Sequence, residues 1–192
     1  MEKINFAIFV SGSGTNCENL IRYFASSERY HCALVVSNKP DALALTKAER
    51  LGVPTAITPK PELNDKEVMM PLLQQYGIQF IVLAGFLPLI PDFLIESYPR
   101  RIINIHPALL PAYGGKGMYG HHVHEAVVAN HEHESGITIH IVDNHYDRGT
   151  TLFQARCTVT PEDTPDTLAA KIHLLEKEHF PRVIDETIKA HK

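Results

Sequence analysis

The sequence has few of the features that mark secreted, membrane or nucleic-acid-binding proteins. It has only three cysteines, Cys17, Cys32 and Cys157. Because their number is odd and they lie far apart in the sequence, neither a disulfide framework nor a thiolate metal site is expected. No apolar run reaches about 18 residues, because a glycine and two prolines interrupt the longest candidate, residues 78–94, and this excludes a membrane-spanning helix. The first residues lack the basic region and apolar stretch of an export signal. We therefore expect a soluble cytoplasmic protein.

The sequence also lacks an excess of positive charge. Of 192 residues, 18 are basic and 22 are acidic, so the formal net charge is −4. Without a basic face a large nucleic-acid footprint is not expected, and the length favours one domain over residues 1–192. Twelve histidines are present, eight of them between His106 and His145, which suggests either a metal site or acid–base chemistry.

Apolar strands alternate with amphipathic helices along the whole chain. The pattern predicts strands at residues 4–10, 32–36, 80–84, 102–105, 136–142 and 151–159. It predicts helices that start at Thr15, near Pro40, and at Asn64, Asp92, His121 and Thr164, the last interrupted at Pro181. Such alternation is typical of an α/β fold with a mostly parallel sheet covered by helices on both faces, and we expect the last two strands to be antiparallel.

A loop of small residues, Ser11–Asn16, lies between the first strand and the first helix. Residues Thr15 to Glu18 have the form of a capping box. Free N–H groups at a helix start favour an anion such as a monophosphate, although the same residues also suit a simple turn. Cys17 replaces the third glycine of a dinucleotide-binding fingerprint, and the Gly-Lys-Ser/Thr of a P-loop is absent. The loop therefore predicts either a phosphate cradle or a turn without a ligand.

Asn104 and His106 end a predicted strand, which Pro107 stops. The two side chains share one face because strand side chains alternate. Ligands of open α/β sheets bind at the carboxyl ends of strands, and an amide donor beside an imidazole suits acyl transfer. The alternative is a structural histidine. A polar loop at residues 143–149 either supplies a carboxylate that raises the pKa of His106 or is an ordinary hairpin loop.

Two other segments leave their roles open. The histidines at 121, 122, 124, 131 and 133 lack a recognised metal motif, so we interpret them as a solvated or substrate-lining surface. The glycine-rich segment Gly114–Gly120 carries one cation, Lys116, and is either an anion cradle or a flexible surface loop.

Taken together, these segments resemble the glycinamide ribonucleotide (GAR) formyltransferases, a branch of the folate-dependent formyltransferases. The resemblance covers nearly the whole chain, from Phe6 to about Ile188. It is carried by the segments Ser11–Asn16, Ser37–Lys39, Leu83–Phe86, Asn104–Pro111, Gly136–His140 and Asp147–Gly149. The Asn-x-His-Pro-x-Leu-Leu-Pro run at 104–111 is specific to folate-dependent formyltransferases, and the first loop points to the GAR branch.

The resemblance implies a Rossmann-like formyltransferase domain. Its nucleotide-binding half would span about residues 1–100 and its folate-binding and catalytic half about 80–192. The implied reaction moves the formyl group of the co-substrate 10-formyltetrahydrofolate to the amine of GAR in de novo purine biosynthesis. It needs no metal, nucleic acid or membrane, and the protein would be a monomer or a homodimer.

The resemblance also implies roles for individual residues. Asn104 would be the oxyanion donor, His106 the proton donor, and Asp147 the carboxylate that raises the pKa of the histidine. The implied GAR-binding residues are Gly14, Thr15, Asn16 and Glu176. The implied folate-binding residues are Lys66, Leu87, Pro88, Leu89, Ile90 and Asn104.

Three alternatives share parts of this pattern. A methionyl-tRNA formyltransferase has a similar catalytic pair, but we would expect a further C-terminal domain and a basic surface. A 10-formyltetrahydrofolate hydrolase would usually carry an additional N-terminal domain, whereas the first strand here starts at Ile4. A non-catalytic nucleotide-binding module would use the first glycine loop without the Asn104 and His106 pair.

Overall fold

The computed structural model describes residues 3–191 of the chain. Its elements, in chain order, are β1 (Ile4–Val10), α1 (Thr15–Phe24), β2 (Tyr30–Ser37), α2 (Leu43–Arg50), β3 (Thr55–Ile57), α3 (Lys60–Leu63), α4 (Lys66–Gln75), β4 (Ile78–Leu83), α5 (Asp92–Ser97), β5 (Ile102–His106), α6 (His121–Ala129), β6 (Glu134–Ile141), β7 (Thr151–Thr158) and α7 (Pro165–Ala190). None of the helices within 3–191 is both long enough and apolar enough to cross a membrane.

The strand order in the sheet is β3-β2-β1-β4-β5-β6-β7. Strand β1 is parallel to both β2 and β4, and β2 is parallel to β3. Strands β6 and β7 are antiparallel, with Ser135 opposite Cys157 and Ile137 opposite Ala155. This topology confirms the predicted fold class, an α/β fold with a mostly parallel sheet and an antiparallel C-terminal strand.

The chain forms two compact units, one ending at Ile103 and one beginning at Asn104. In the first unit, consecutive residues from Phe6 to Val10 are all buried, so both faces of β1 are covered. Phe24 of α1 packs edge-on against Phe6, with ring centroids 5.3 Å apart. The interpretation of residues 1–192 as one domain, with the two halves given above, stays a prediction.

The strand order of the first unit reverses between β1 and β4, and the loops after these strands are tied together there. The hydroxyl of Ser11 donates to Asn38 Oδ1 at 2.5 Å and accepts from the Leu87 N–H at 3.0 Å. Ser11 N–H also donates to the Gly85 carbonyl at 3.0 Å. Because ligands of open α/β sheets bind where the strand order reverses, this loop cluster is the expected ligand-binding end of the unit.

In the second unit, the long helix α7 packs against α6, β6 and β7. Its buried apolar residues recur at helical spacing, and they include Leu168, Ile172, Phe180, Ile184 and Ile188. The predicted interruption at Pro181 is wrong, because the helix runs without a break from Pro165 to Ala190. A proline costs the helix one backbone hydrogen bond, and the burial of Pro181 among the apolar residues of this stretch offsets that loss.

Three local features of the first unit were either missed in the sequence or placed differently. The short elements β3 and α3 had no recognisable pattern, since each has only three or four residues. Helix α2 begins at Leu43, after the turn that contains Pro40, because a proline and its neighbours also suit a turn. The capping box at Thr15 is not formed: Gly14 is the N-cap of α1, without a side-chain cap, and the Glu18 carboxylate pairs with Arg22 instead.

Candidate active site

Asn104 and His106 lie at the C-terminal end of β5, two residues apart, as the sequence predicted. His106 is 4% exposed, and Asn104 is half-buried. Nε2 of His106 lies 2.7 Å from the carbonyl oxygen of Tyr113, so this nitrogen carries a proton and donates it. The neutral imidazole therefore has its free lone pair on Nδ1.

The chain that follows His106 is fixed by the hydroxyl of Thr138, on β6. This buried hydroxyl donates to the Ala108 carbonyl at 2.7 Å and accepts from the Leu110 N–H at 3.0 Å. The side-chain amide of Gln154, on β7, donates both to Thr138 Oγ1 at 2.9 Å and to the Leu110 carbonyl at 3.0 Å. The turn after β5 is thus held by four side-chain hydrogen bonds, which favour one conformation.

Asp147 lies beside His106, with Oδ2 at 3.6 Å from Nδ1 of the imidazole. The same oxygen accepts a hydrogen bond from the Gly115 N–H at 2.9 Å. Asp147 has a φ of 54°, a left-handed conformation that aspartate tolerates better than most residues. The structure therefore brings together Asn104, His106 and Asp147, the three residues predicted to carry the chemistry.

A second histidine, His140, also lies in this cluster, although the sequence pattern assigned it no role. Its Nε2 is 3.1 Å from Nδ2 of Asn104 and 3.7 Å from Oδ1 of Asp147. Because an amide nitrogen can only donate, Nε2 accepts, and Nδ1–H donates to the Ile141 carbonyl at 3.1 Å. The signal was present in the sequence, since Thr138 and His140 alternate with apolar residues along one strand and so share a face.

The pKa of His106 is shifted by opposing effects. Burial lowers it, Asp147 and the hydrogen bond to the Tyr113 carbonyl raise it, and His140 lowers it further. The net pKa lies below the ordinary value for histidine. Asp147 thus acts in the predicted direction, but desolvation is the larger effect, so the imidazole is mainly neutral at neutral pH.

The pKa of Asp147 is held below its ordinary value. Burial opposes this, but the neighbouring imidazole of His140, the charge interaction with His106 and the hydrogen bond from the Gly115 N–H together outweigh it. The carboxylate is therefore ionised at neutral pH and is available to stabilise an imidazolium at His106.

The predicted anion loop lies in the first unit, at the start of α1. Gly14 has a φ of 74°, and a Cβ at this position would lie 2.5 Å from the Cβ of Ala44. Only glycine fits this conformation and this close approach. Thr15 is exposed and Asn16 is half-buried at the first turn of the helix, where N–H groups without helical partners attract an anion.

The remaining predicted binding residues occupy separate segments. Leu87–Ile90 form the loop after β4, with Ile90 buried and Leu89 exposed. Lys66 is exposed at the start of α4, and within the described residues no hydrogen bond or ion pair joins it to that loop. Glu176 is buried in α7 of the second unit.

The histidines of α6 divide into two groups. His121 and His122 are exposed, and each lies near the carboxylate of Glu125. His124 is buried, with its ring 6.3 Å from that of His121. In the part of the chain that the structure describes, no three His, Cys, Asp or Glu side chains are grouped as metal ligands.

Comparison with known families gives one match over most of the chain: residues 4–184 match a family described as formyl transferase. The chain is 34% identical to the phosphoribosylglycinamide formyltransferase of Bacillus subtilis, over 95% of this chain and 94% of that protein. It is 39% identical to the chloroplastic phosphoribosylglycinamide formyltransferase of Arabidopsis thaliana, over 95% of this chain. The chain spans 66% of the length of that plant protein and 56% of its relative from Vigna unguiculata.

Solved structures with the same fold carry similar names. The crystal structure of a phosphoribosylglycinamide formyltransferase from Bacillus halodurans superposes with a TM-score of 0.87 at 31% identity, and the match covers 98% of this chain and 97% of that one. The corresponding protein of Anaplasma phagocytophilum gives a TM-score of 0.86 at 29% identity, over 96% of this chain and 86% of that one.

Proposed function

Since the chain belongs to the formyl transferase family, we propose that it transfers the formyl group of 10-formyltetrahydrofolate to the amine of GAR, giving formyl-GAR in purine biosynthesis. The observation that carries this proposal is the buried cluster at the end of β5, in which Asn104, His106 and Asp147 meet. An amide donor, an imidazole and an ionised carboxylate are the groups that acyl transfer to an amine requires.

In this mechanism His106 starts as the neutral base and then becomes the proton donor. The GAR amine attacks the formyl carbon, a C–N bond forms, and the attacking nitrogen loses a proton to Nδ1 of His106. The resulting imidazolium is stabilised by the ionised Asp147, 3.6 Å from Nδ1. His106 then donates this proton to the folate N10 as the old C–N bond breaks, so tetrahydrofolate leaves and the enzyme returns to its starting state.

Asn104 is the oxyanion donor in the proposed mechanism. One of its two amide hydrogens is directed to His140 Nε2, at 3.1 Å, which fixes the orientation of the amide. The second hydrogen is then available for the oxygen of the tetrahedral intermediate. A fixed donor of this kind typically lowers the activation barrier by about 3–4 kcal/mol, which raises kcat by a factor of about 10² to 10³.

The substrates would be held by the segments that the family resemblance assigns to them. The GAR phosphate would be bound by Gly14, Thr15 and Asn16, because these residues form the N-terminus of α1. Glu176 would contact the same substrate. The folate would be bound by Lys66, Leu87, Pro88, Leu89, Ile90 and Asn104, with Ile90 and the other apolar side chains against the pterin. No metal takes part in the proposed steps.

The proposal is tested by measuring loss of 10-formyltetrahydrofolate with and without GAR. We expect consumption that depends on GAR, and a fall in kcat of at least about 100-fold in His106→Ala, with GAR binding nearly unchanged. His145→Ala is the matched control, because His145 is an exposed histidine two residues before Asp147. Wild-type turnover in His106→Ala would overturn the mechanism. Consumption without an amine would favour a hydrolase, and no consumption would favour a nucleotide-binding module.

A further inference from the structure

Tyr113 connects the imidazole of His106 to the turn that follows α6. Its carbonyl oxygen accepts the hydrogen bond from His106 Nε2 at 2.7 Å. Its phenol donates to Glu132 Oε1 at 2.7 Å and accepts from Asn130 Nδ2 at 3.0 Å. Tyr113 is therefore hydrogen-bonded at both ends. Its backbone carbonyl is bonded to the candidate base, and its phenol is bonded to two polar side chains about 20 residues further along the chain.

The backbone at Tyr113 is held in an uncommon conformation. Its φ is 55°, in the left-handed region that a bulky residue rarely adopts. A residue keeps such a conformation only where its surroundings over-determine it, and the two phenol hydrogen bonds supply that restraint. We interpret the anchored phenol as the reason why the carbonyl stays directed at His106.

The segment Tyr113–Gly115 also contacts the carboxylate beside the imidazole. The Gly115 N–H donates to Asp147 Oδ2 at 2.9 Å. A Cβ on Gly114 would lie 2.5 Å from Leu110 Cδ2 and 3.2 Å from Asp147 Cβ, so the segment passes very close to that side chain. Three consecutive residues thus hold both members of the pair, the imidazole through a carbonyl and the carboxylate through an amide.

We propose that Tyr113 is a positioning residue for His106: its phenol, anchored by Glu132 and Asn130, fixes the carbonyl that keeps the proton on Nε2 and leaves Nδ1 as the nitrogen that exchanges protons with the substrate. The consequence for catalysis depends on the proposed function, whereas the effect on the imidazole does not. The charged or titratable groups that influence His106 from neighbouring segments are Asp147, His140 and His124. None of these three residues is substituted in the variants at the phenol or its anchors.

The direct test is nitrogen NMR of the histidine side chains in the whole protein, with Tyr113→Phe compared with wild type. In wild type we expect neutral His106 to carry its proton on Nε2 alone. In Tyr113→Phe we expect both neutral forms and a lower titration midpoint, because the carbonyl hydrogen bond that raises the pKa of His106 is loosened. The matched control is Tyr119→Phe, an exposed tyrosine whose loss of a hydroxyl should change neither property.

Kinetics provide the second measurement. We expect kcat for formyl transfer to fall about two- to tenfold in Tyr113→Phe, the range that one ordinary hydrogen bond supports, with both KM values within twofold of wild type. An unchanged kcat, or unchanged His106 signals, would overturn the proposal, as would an equal effect in Tyr119→Phe. If the wild-type protein transferred no formyl group, the proposed function would fail, and the NMR comparison would still decide the role of Tyr113.

A variant at the anchor tests the same inference without changing Tyr113. Glu132→Ala removes the acceptor of the phenol and should reproduce both changes, while Glu132→Gln keeps an acceptor and should restore wild-type behaviour. In the double variant Tyr113→Phe/Glu132→Ala, the second change should add little, because the hydrogen bond is already absent. Additive effects would contradict a shared anchor. If Tyr113→Phe did not fold, wild-type His106 signals in Glu132→Ala would overturn the proposal.

Discussion

Nδ1 of His106 faces Oδ2 of Asp147 across 3.6 Å, while Nε2 of the same ring is bonded to a backbone carbonyl at 2.7 Å. The proton on Nε2 is therefore held in place, so in the proposed mechanism the proton that is exchanged is the one on Nδ1. Burial keeps the imidazole neutral at rest, and the neighbouring carboxylate makes the imidazolium accessible once a proton is available. This arrangement suits the proposed mechanism, in which His106 acts first as a base and then as an acid within one turnover.

The first prediction concerns the charge of Asp147. Asp147→Asn removes the group whose charge raises the pKa of His106, so that pKa should fall further. Because the proposed mechanism starts from neutral His106, the acidic limb of the kcat/KM profile should move to lower pH, and kcat should fall at least about tenfold as the imidazolium loses its partner. The measurement is the pH profile of formyl transfer. Asp143→Asn, in the same loop, is the control, and an unmoved acidic limb would contradict the role of Asp147.

The second prediction compares two glycines of the anion loop. Gly14→Ala places a Cβ 2.5 Å from Ala44 Cβ in a left-handed backbone, so we expect a loss of stability of about 2 kcal/mol and a raised KM for GAR. A Cβ added at Gly12 would have no neighbouring atom within 4 Å, so Gly12→Ala should change the free energy of unfolding by less than about 0.5 kcal/mol. Urea unfolding and substrate titrations measure both effects. Equal behaviour of the two variants would show that the close approach at Gly14 does not matter.

The third prediction concerns the hydroxyl of Thr138. Thr138→Val leaves the Ala108 carbonyl without its donor and the Leu110 N–H without its acceptor in a buried setting. We expect the free energy of unfolding to fall by about 2–3 kcal/mol. Thr151→Val, at an exposed position of β7, is the control. A loss no larger than that of the control would mean that the network does not hold the turn after His106.

The fold was predictable from the sequence to the extent that its elements were long and periodic. Strands such as β1 and β2 are mainly apolar, so the alternation of strands and helices was predicted. The last two strands were also correctly expected to be antiparallel. The elements β3 and α3 were missed because a period cannot be recognised in three or four residues. Pro181 misled the prediction for α7, since burial of a long apolar stripe outweighed a local helix-breaking preference.

The candidate site was predictable where residues close in sequence share a strand face, as Asn104 and His106 do. The position of Asp147 came from the family resemblance, because its contact with His106 joins residues 41 positions apart. His140 and Tyr113 were missed for a similar reason. The first contacts Asn104 from another strand, and the second acts on His106 through its backbone carbonyl, which no side-chain pattern reveals.

The last prediction concerns His124, which is buried on α6 and whose Nδ1 has no hydrogen-bond partner among the described residues. Burial, with smaller effects of His173, His121 and His106, lowers its pKa from 6.5 to about 4. Between these two pH values His124 binds a proton in the unfolded chain but not in the folded protein. The free energy of unfolding is therefore not reduced by His124 above about pH 6.5, and it falls as the pH is lowered towards 4. The full loss corresponds to about 3 kcal/mol.

Replacing His124 with leucine removes this titrating group and its unpartnered nitrogen. We expect the unfolding free energy of His124→Leu to vary with pH by about 3 kcal/mol less than that of wild type between pH 6.5 and 4. His31→Leu, which replaces an exposed histidine of β2, is the control and should retain the wild-type slope. Carboxylates with lowered pKa, such as that of Asp147, titrate below this window and do not obscure the comparison. Parallel pH curves for wild type and His124→Leu in urea unfolding would show that His124 is not held neutral by burial.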